Sequence, residues 1–426
     1  MLGPILLGVV FIVSLLMGVP VAISMGVASI AAIMVQGMPW TFLAQVSYTA
    51  VDKYPLIAVP LFILAGALME KGGITRRIIE LAEAIVGRAK GGLGAVTVLS
   101  CAFFAALSGS GPAATAAIGM VMIPAMISGG YGRAYSGAVT ACSGGLGIVI
   151  PPSIPMIIYG VSASVSITKL FIAGIIPGLI LAMCLFGANF LISRRREYAG
   201  GRDRSWGHFF RSMWSAKWAI LAPVIILGGI YSGVFTVTEA SVIAVVYAFF
   251  VGTFIHREFT LRSIIDSLVY TVRITGVVLL ISGTAGIFST FLTIYRIPEL
   301  AAGFFTSITT DPIVLMLLII MLLIFTGMWM ETIAQIIILA SILMPVARNV
   351  GIDPIHLGVV FVIACEIGFE TPPVGANLFV ATEISDSTIE SMSREAIPFV
   401  IAEILGMVLV ALAPGLAMFL PNLIMG

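Results

Sequence analysis

Apolar positions in this chain come in long uncharged runs, each interrupted by a short cluster of Gly, Pro and Ser. Residues 91–132 carry no charged side chain, so this stretch can enter a bilayer. Midway along it, Leu107-Ser108-Gly109-Ser110-Gly111-Pro112 is turn chemistry, because glycine tolerates unusual backbone angles and proline removes a backbone donor. The flanks, 95–107 and 113–127, are about 13–15 residues each. At about 1.5 Å per residue they reach roughly 20 Å, short of the ~30 Å hydrocarbon core. Two half-length helices with a polar tip predict a re-entrant hairpin. Irregular backbone at membrane depth is tolerated only where it lines a buried or wet cavity, so the tip is a candidate site.

The same pattern predicts spans over 2–17 and 21–35, separated by Gly18-Val19-Pro20. Residues 39–54, of mixed polarity with Trp40 and Tyr48, read as an interfacial helix. Another span follows over 56–69. Residues 74–90 alternate apolar and charged positions at helical spacing, which predicts an amphipathic surface helix. After the hairpin (92–130), residues 134–163 form one crossing with a break at Gly144-Gly145, Gly147 and Pro151-Pro152-Ser153. Residues 170–192 cross again, and Arg194-Arg195-Arg196 opens the most polar stretch, up to Lys217.

The second half retells the first. Pro124 and Pro345, Pro151 and Pro372, Pro152 and Pro373, Pro177 and Pro398, and Gly147 and Gly368 are each 221 residues apart. Internal duplication is the reading, with repeats 1–205 and 206–426. In the second repeat, spans fall within 219–293 and an amphipathic piece at 261–276 answers 39–54. A second hairpin is expected over 313–347, its tip at Gly327-Met328-Trp329-Met330-Glu331-Thr332. A second broken helix is expected over 357–382, broken at Gly368-Phe369-Glu370-Thr371-Pro372-Pro373-Val374-Gly375.

Composition agrees with a polytopic, all-α membrane protein. The 426 residues are 60% hydrophobic and 10% charged, whereas soluble chains have about 25% charged residues. If hairpins return to their own side, each half has five crossings, so the repeats must be inverted relative to one another. Placing the Arg194–Lys217 loop in the cytoplasm puts 17 basic residues inside (71, 76, 77, 88, 90, 133, 194, 195, 196, 202, 204, 211, 217, 257, 262, 273 and 394). Only Lys53, Lys169, Arg296 and Arg348 remain outside. This asymmetry favours both termini outside. The N-terminal run lacks the basic flank of a cleavable signal. Cys101, Cys142, Cys184 and Cys365 lie in apolar segments without metal-like spacing, a packing pattern. His208, His256 and His356 are dispersed, and no phosphate-binding loop occurs, so neither nucleotide nor nucleic acid is expected as a partner.

Inverted repeats, paired hairpins and discontinuous helices point to a secondary transporter with its site near the midplane. Breaks expose carbonyls which, with Ser and Thr hydroxyls, make oxygen cages suited to Na⁺, and helix N-termini suit a substrate carboxylate. Candidate donors are Ser108, Ser110 and Ser153 in the first half, and Thr332, Thr371 and Asn377 in the second. An isolated Ser or Thr in a helix more often bonds the carbonyl four residues back; at a Gly/Pro break the backbone already needs partners. Glu331, Glu366 and Glu370 are carboxylates in membrane segments, a functional hypothesis by default. Glu331 either serves a cation site or is a solvated tip, and Glu366 and Glu370 share a helical face if the helix persists. Glu239 reads as a helix N-terminal charge.

The motifs Ser108-Gly-Ser-Gly-Pro-Ala, Ile150-Pro-Pro-Ser-Ile-Pro-Met-Ile-Ile-Tyr-Gly and Thr371-Pro-Pro-Val-Gly-Ala-Asn-Leu-Phe-Val resemble those of the large membrane subunit of TRAP (tripartite ATP-independent periplasmic, DctM-type) transporters, across nearly the whole chain. The resemblance implies an ion-transporter-like fold and an elevator-type, Na⁺-coupled importer of organic acids (C4-dicarboxylate, sialic acid or another sugar or keto acid) in the cell inner membrane. It implies two partners, an unfused four-helix membrane subunit and a periplasmic substrate-binding protein. It implies Na⁺ site 1 at Ser108, Gly109, Ser110, Gly111 and Pro112 with Gly144, Gly145, Pro151, Pro152 and Ser153. Site 2 would be at Gly327, Glu331 and Thr332 with Gly368, Glu370, Thr371, Pro372 and Pro373. Ser110, Ser153, Thr332, Glu366 and Asn377 are the substrate-cavity candidates. Glu366 and Glu370 depart from the family pattern, in which these positions are commonly uncharged. A binding-protein-independent Na⁺/H⁺ or oxyanion antiporter could share the fold. An intramembrane serine protease at Gly109-Ser110-Gly111 lacks a nearby base.

Overall fold

A computed structural model describes residues 2–86, 90–198, 206–373 and 375–425, and among them it is built of helices without strands. Arg88, Arg202, Arg204 and Val374 lie outside the described residues. The first half runs α1 (Leu2–Leu16), α2 (Val21–Gln36), α3 (Trp40–Val51), a 3-10 turn (Tyr54–Ile57), α4 (Ala58–Lys71), α5 (Ile74–Val86), α6 (Gly92–Ser108), α7 (Gly111–Ser128), α8 (Arg133–Val149), α9 (Ile154–Ala163) and α10 (Ile167–Arg195). The second runs α11 (Trp206–Ser215), α12 (Lys217–Tyr231), α13 (Val237–Phe250) extended by a π-helical turn (Val251–His256), α14 (Leu261–Ile294), α15 (Ile297–Ile308), α16 (Pro312–Gly327), α17 (Thr332–Asn349), α18 (Pro354–Phe369), α19 (Ala376–Ser385), α20 (Ile389–Leu412) and α21 (Pro414–Met425). Seven helices among the described residues are long and apolar enough to cross a bilayer. Large apolar side chains such as Val9, Ile12, Met183, Leu191, Leu405 and Leu409 face outward, as a chain solvated by lipid requires.

Elements recur at the 221-residue offset. α17 begins and ends 221 residues after α7, and α6, α8, α9 and α10 are followed within a few residues by α16, α18, α19 and α20 at that spacing. Pro124 and Pro345 lie inside α7 and α17, Pro177 and Pro398 inside α10 and α20. One pair differs. The sequence suggests an amphipathic piece at 261–276 separate from the next span, but α14 is a single helix of 34 residues. Its counterpart is divided into α3 and α4 at Asp52-Lys53-Tyr54-Pro55. The residue 221 positions after Pro55 is Gly276, which keeps its N–H and lets the helix run on.

The hairpin helices are also longer than expected. α6 and α7 have 17 and 18 residues, because the helix continues back to Gly92 and onward through Pro124. At about 1.5 Å per residue that is roughly 26 Å, and α7 is one of the seven helices long and apolar enough to cross. The amphipathic α5 buries Ile74, Ile78, Ile79 and Leu81 and exposes Arg76, which pairs with Glu80 at 3.2 Å, while half-buried Arg77 pairs with Glu258 at 2.8 Å. Glu239 is an N-terminal charge as expected, closing a capping box with Thr236.

Two groups of helices organise the molecule. α2, α3, α4 and α13 pack on α14 or on one another, while α6, α7, α8 and α19 pack together with α10 and α20 around them. At the centre are the two broken helices. Every residue from Tyr135 to Val149 in α8 and from Ile355 to Phe369 in α18 is buried, polar Ser136, Thr140, Ser143, His356 and Glu366 included. α8 and α9 meet at 43° across residues 150–153. The break expected to begin at Gly144 therefore starts six residues later, and Gly144, Gly145 and Gly147 are helical. Gly368 is likewise inside α18, so the second break spans 370–375. Inside their helices, Gly144, Gly147 and Gly368 instead make room for the hairpin tips.

Candidate functional site: two hairpin tips in one cavity

The first tip is built on backbone contact. α6 ends at Gly109, whose φ of +63° is left-handed and suits glycine, and Ser110 precedes α7 in extended conformation. The tip leans on the first break: the Ile154 N–H donates to the Gly109 carbonyl at 3.2 Å. A Cβ at Gly109 would lie 2.8 Å from the Pro152 oxygen. On the α8 side, a Cβ at Gly147 would lie 2.7 Å from the Ser110 oxygen, and one at Gly144 3.1 Å from the Gly111 oxygen. The glycines of α8 thus let the tip's backbone reach the helix.

The second tip repeats the arrangement with different closure. A Cβ at Gly368 would lie 2.7 Å from the Ile324 oxygen and 2.8 Å from Gly327 Cα. The Gln335 amide donates to the Leu323 carbonyl at 2.6 Å and to Thr326 Oγ1 at 2.7 Å, stapling α17 to α16. Glu331 caps α17: its Oε2 accepts from the N–H groups of Ile333 at 3.0 Å and Ala334 at 3.1 Å. A carboxylate there complements the partial positive charge of the helix start. Glu331 stands 221 residues after Ser110, whose side chain makes no capping bond to α7. One helix N-terminus carries its own carboxylate, and the other has no side-chain cap.

Both tips open on one cavity of about 270 Å³. Ser108 to Ala113 line it from the first hairpin, Glu331, Thr332 and Ile333 from the second, and Glu366 and Phe369 from α18. The facing wall is α4 (Ile63, Gly66, Ala67, Glu70) and α14 (Tyr270, Ile274, Ile281). Among its hydroxyls, Thr332 Oγ1 is buried without a hydrogen-bond partner, and Ser108 Oγ reaches only the Ser110 carbonyl, at 3.5 Å. Buried polar groups are normally satisfied, so these oxygens are available to a ligand.

Other candidates fall elsewhere. Ser153 is fully buried, donating to the Ile148 carbonyl at 2.5 Å and accepting from the Met156 N–H at 3.2 Å, so it closes the break and caps α9. Thr371 donates to the Ile367 carbonyl at 2.6 Å, the four-back bond of an ordinary helical Thr. Pro151-Pro152 and Pro372-Pro373 occupy the two breaks, each with a cis bond. Asn377 and Glu370 are fully buried behind the tips rather than in the cavity wall. Asn377 Nδ2 donates to Glu366 Oε1 at 2.8 Å, to Glu370 Oε1 at 3.1 Å and to the Ala141 carbonyl at 3.4 Å. Sequence reasoning missed Glu403 on α20, which is 3% exposed and belongs to the same buried group. The signal was present, since Glu403 is the only charged residue after Glu395.

Comparison with known proteins adds ancestry to this geometry. Residues 8–416 match the family model described as the tripartite ATP-independent periplasmic transporter, DctM component. The isethionate TRAP transporter permease protein DctMQ of Oleidesulfovibrio alaskensis is 41% identical over 98% of this chain, which spans 66% of that protein's length. The C4-dicarboxylate TRAP transporter large permease protein DctM of Pseudomonas aeruginosa is 38% identical, covering 87% of each. The sialic acid TRAP transporter large permease protein SiaM of Vibrio cholerae is 36% identical, covering 96% of each. Among solved structures, the YdaH transporter of Alcanivorax borkumensis aligns with TM-score 0.63 at 18% identity, covering 88% of each chain. MtrF of Neisseria gonorrhoeae aligns at 0.61 and 14%, covering 87% of this chain and 83% of its own. At those identities the structures speak for a common fold.

Proposed function

The chain belongs to the DctM component family of the tripartite ATP-independent periplasmic transporters, and we propose that it is the large transport subunit of a Na⁺-coupled importer of an organic acid. One observation carries the reading: two hairpin tips, each seated on a broken helix, share a cavity whose opposite wall is α4 and α14. Sodium is assigned to the tips. Site 1 takes Ser108 to Pro112 with the end of α8 and the break through Ser153; site 2 takes Gly327, Glu331 and Thr332 with the end of α18 and the break at 370–373. The unpartnered Thr332 hydroxyl and the weakly held Ser108 hydroxyl support oxygen-cage chemistry. The organic anion docks in the cavity at the uncapped start of α7, since Glu331 already fills the start of α17. The relatives' names specify isethionate, C4-dicarboxylates and sialic acid, all organic acids, and this chain takes a substrate of that class.

Residues 1–205 and 206–426 act as repeats of inverted topology in the inner membrane, with both termini periplasmic. The hairpins and broken helices (95–163 and 313–382) travel as one body against the spans 2–35, 56–69, 219–233, 242–254 and 277–293, an elevator. A four-helix membrane subunit holds the static part, and a periplasmic binding protein delivers the substrate. The test is uptake of radiolabelled isethionate, succinate or sialic acid by proteoliposomes containing this chain, its membrane subunit and its binding protein. One substrate should accumulate under a Na⁺ gradient, without ATP and only with the binding protein; equal uptake with K⁺ in place of Na⁺ contradicts the reading.

A further inference from the structure

A second cavity, of about 260 Å³, lies between α3 and α14 on one side and α9 and α17 on the other. Three of its residues, Thr49, Lys53 and Leu56, stand 221 positions before Tyr270, Ile274 and Val277, which line the tip cavity. The two cavities are therefore equivalent places in the two repeats, yet their charges are opposite. The tip cavity is lined by Glu70, Glu331 and Glu366 and by no basic side chain. In the second cavity Lys53 is the one charged residue of the lining. Lys53 is exposed and has no ion-pair partner among the described residues. Its neighbour Asp52 is not part of the lining.

The rest of the polar lining is hydroxyl. Thr49, Thr290 and Ser341 donate to carbonyls of their own helices. Ser162, Ser282 and Ser289 make no hydrogen bond among the described residues, and Ser282 Oγ is buried without a partner. An ammonium group with free O–H donors and no carboxylate beside it complements a carboxylate or sulfonate and repels a cation. An anion at the tips meets three acids and depends on bound Na⁺ for its counter-charge. In the second cavity the protein supplies the counter-charge itself.

We propose that this cavity is an outer binding station for the organic acid, in which Lys53 and the free hydroxyls of Ser162, Ser282 and Ser289 hold the acid group without Na⁺ before it reaches the tips. The proposal rests on the reading of the chain as an importer of organic acids, which puts Lys53 on the periplasmic side. Position along α17 connects the station to the tips. Ile337 and Ser341, which face Lys53 across the cavity, lie five and nine residues beyond Thr332, roughly 8 and 14 Å along the helix at about 1.5 Å per residue. A slide of that length brings the second tip to Lys53, so the acid is already in place when the tip arrives.

The test uses neither a Na⁺ gradient nor the binding protein, so its failure is separable from failure of Na⁺-driven uptake. Ser341→Cys is placed in the full chain lacking its four native cysteines, in lipid nanodiscs in Na⁺-free buffer. Its rate of labelling by a membrane-impermeant maleimide is measured at constant ionic strength. Succinate, isethionate or sialic acid should slow labelling, and the uncharged succinamide should not. Lys53→Gln should raise the concentration of the protecting acid needed for half-protection roughly 10-fold or more. Lys53→Arg should retain protection, and so should Arg296→Gln, which removes an exposed cation outside the lining. Thr49→Cys gives the same readout from the facing wall if Ser341→Cys does not label. Protection by none of the three acids overturns the proposal, as does equal protection in Lys53→Gln. Protection that appears only with Na⁺ also overturns it, because the acid would then be bound at the tips.

Discussion

Replacing Gly147 by alanine probes the seat of the first tip with one added carbon. The new Cβ would stand 2.7 Å from the Ser110 oxygen, 2.9 Å from the Ser110 carbonyl carbon and 3.2 Å from the Gly111 nitrogen. All three are backbone atoms of the tip, so no side chain can swing aside. An ordinary contact begins near 3.4 Å, so the tip must retreat by about 0.7 Å. Overpacking of this kind costs about 1–3 kcal/mol. At about 1.4 kcal/mol per tenfold change, strain falling on the Na⁺-bound geometry raises the Na⁺ concentration for half-maximal uptake roughly 5- to 150-fold. Gly187→Ala is the control: it is helical, and a Cβ there meets nothing within 4 Å. The assay is the Na⁺ dependence of uptake in the reconstituted transporter, with expression and thermal stability measured alongside. A Gly147→Ala protein with wild-type Na⁺ dependence refutes the assignment of the α8 glycines to holding the tip.

Ser110→Ala and Thr332→Ala each remove an oxygen from a different tip, and each should weaken Na⁺ dependence by about 1–3 kcal/mol, roughly 5- to 150-fold; the double variant should show additive losses if the sites are separate. Ser153→Ala removes a buried cap, so it should lower stability by about 0.5–2 kcal/mol, seen in thermal unfolding, with a smaller effect on Na⁺ dependence than Ser110→Ala. Glu331→Ala should cost a similar amount by uncapping α17, and Glu331→Gln, which keeps an acceptor oxygen, should recover part of it.

The hairpins and breaks were legible in the sequence because Gly, Pro and Ser clusters interrupt otherwise uncharged runs, and irregular backbone at membrane depth is tolerated only beside a cavity or buried in protein. The paired prolines set a 221-residue register, and helix bounds recur at that spacing. What was not legible was which partner each small residue served. Gly144, Gly147 and Gly368 look like helix breakers in one dimension, yet they are helical positions where another segment's backbone passes. Ser153 and Thr371 look like ligands beside a break, and their hydroxyls are consumed locally. Glu331 carried two open readings, and neither was the cap it forms. Glu403 was overlooked because its partners, Glu370 on the broken helix and Cys142 on α8, are far away along the chain and meet it only when α20 packs beside α8 and α18.

Movement of the tips against α4 is the central claim, and Gly66 offers the place to arrest it. A Cβ at Gly66 would lie 3.4 Å from Ser108 Cβ, near the range of about 3.5–4.5 Å that disulfides span. Gly66→Cys with Ser108→Cys, in a background lacking the four native cysteines, should form a disulfide between α4 and the first tip on mild oxidation. At saturating Na⁺, substrate uptake should be lost in the oxidised protein and return on reduction. Undiminished uptake by fully cross-linked protein would contradict the elevator account.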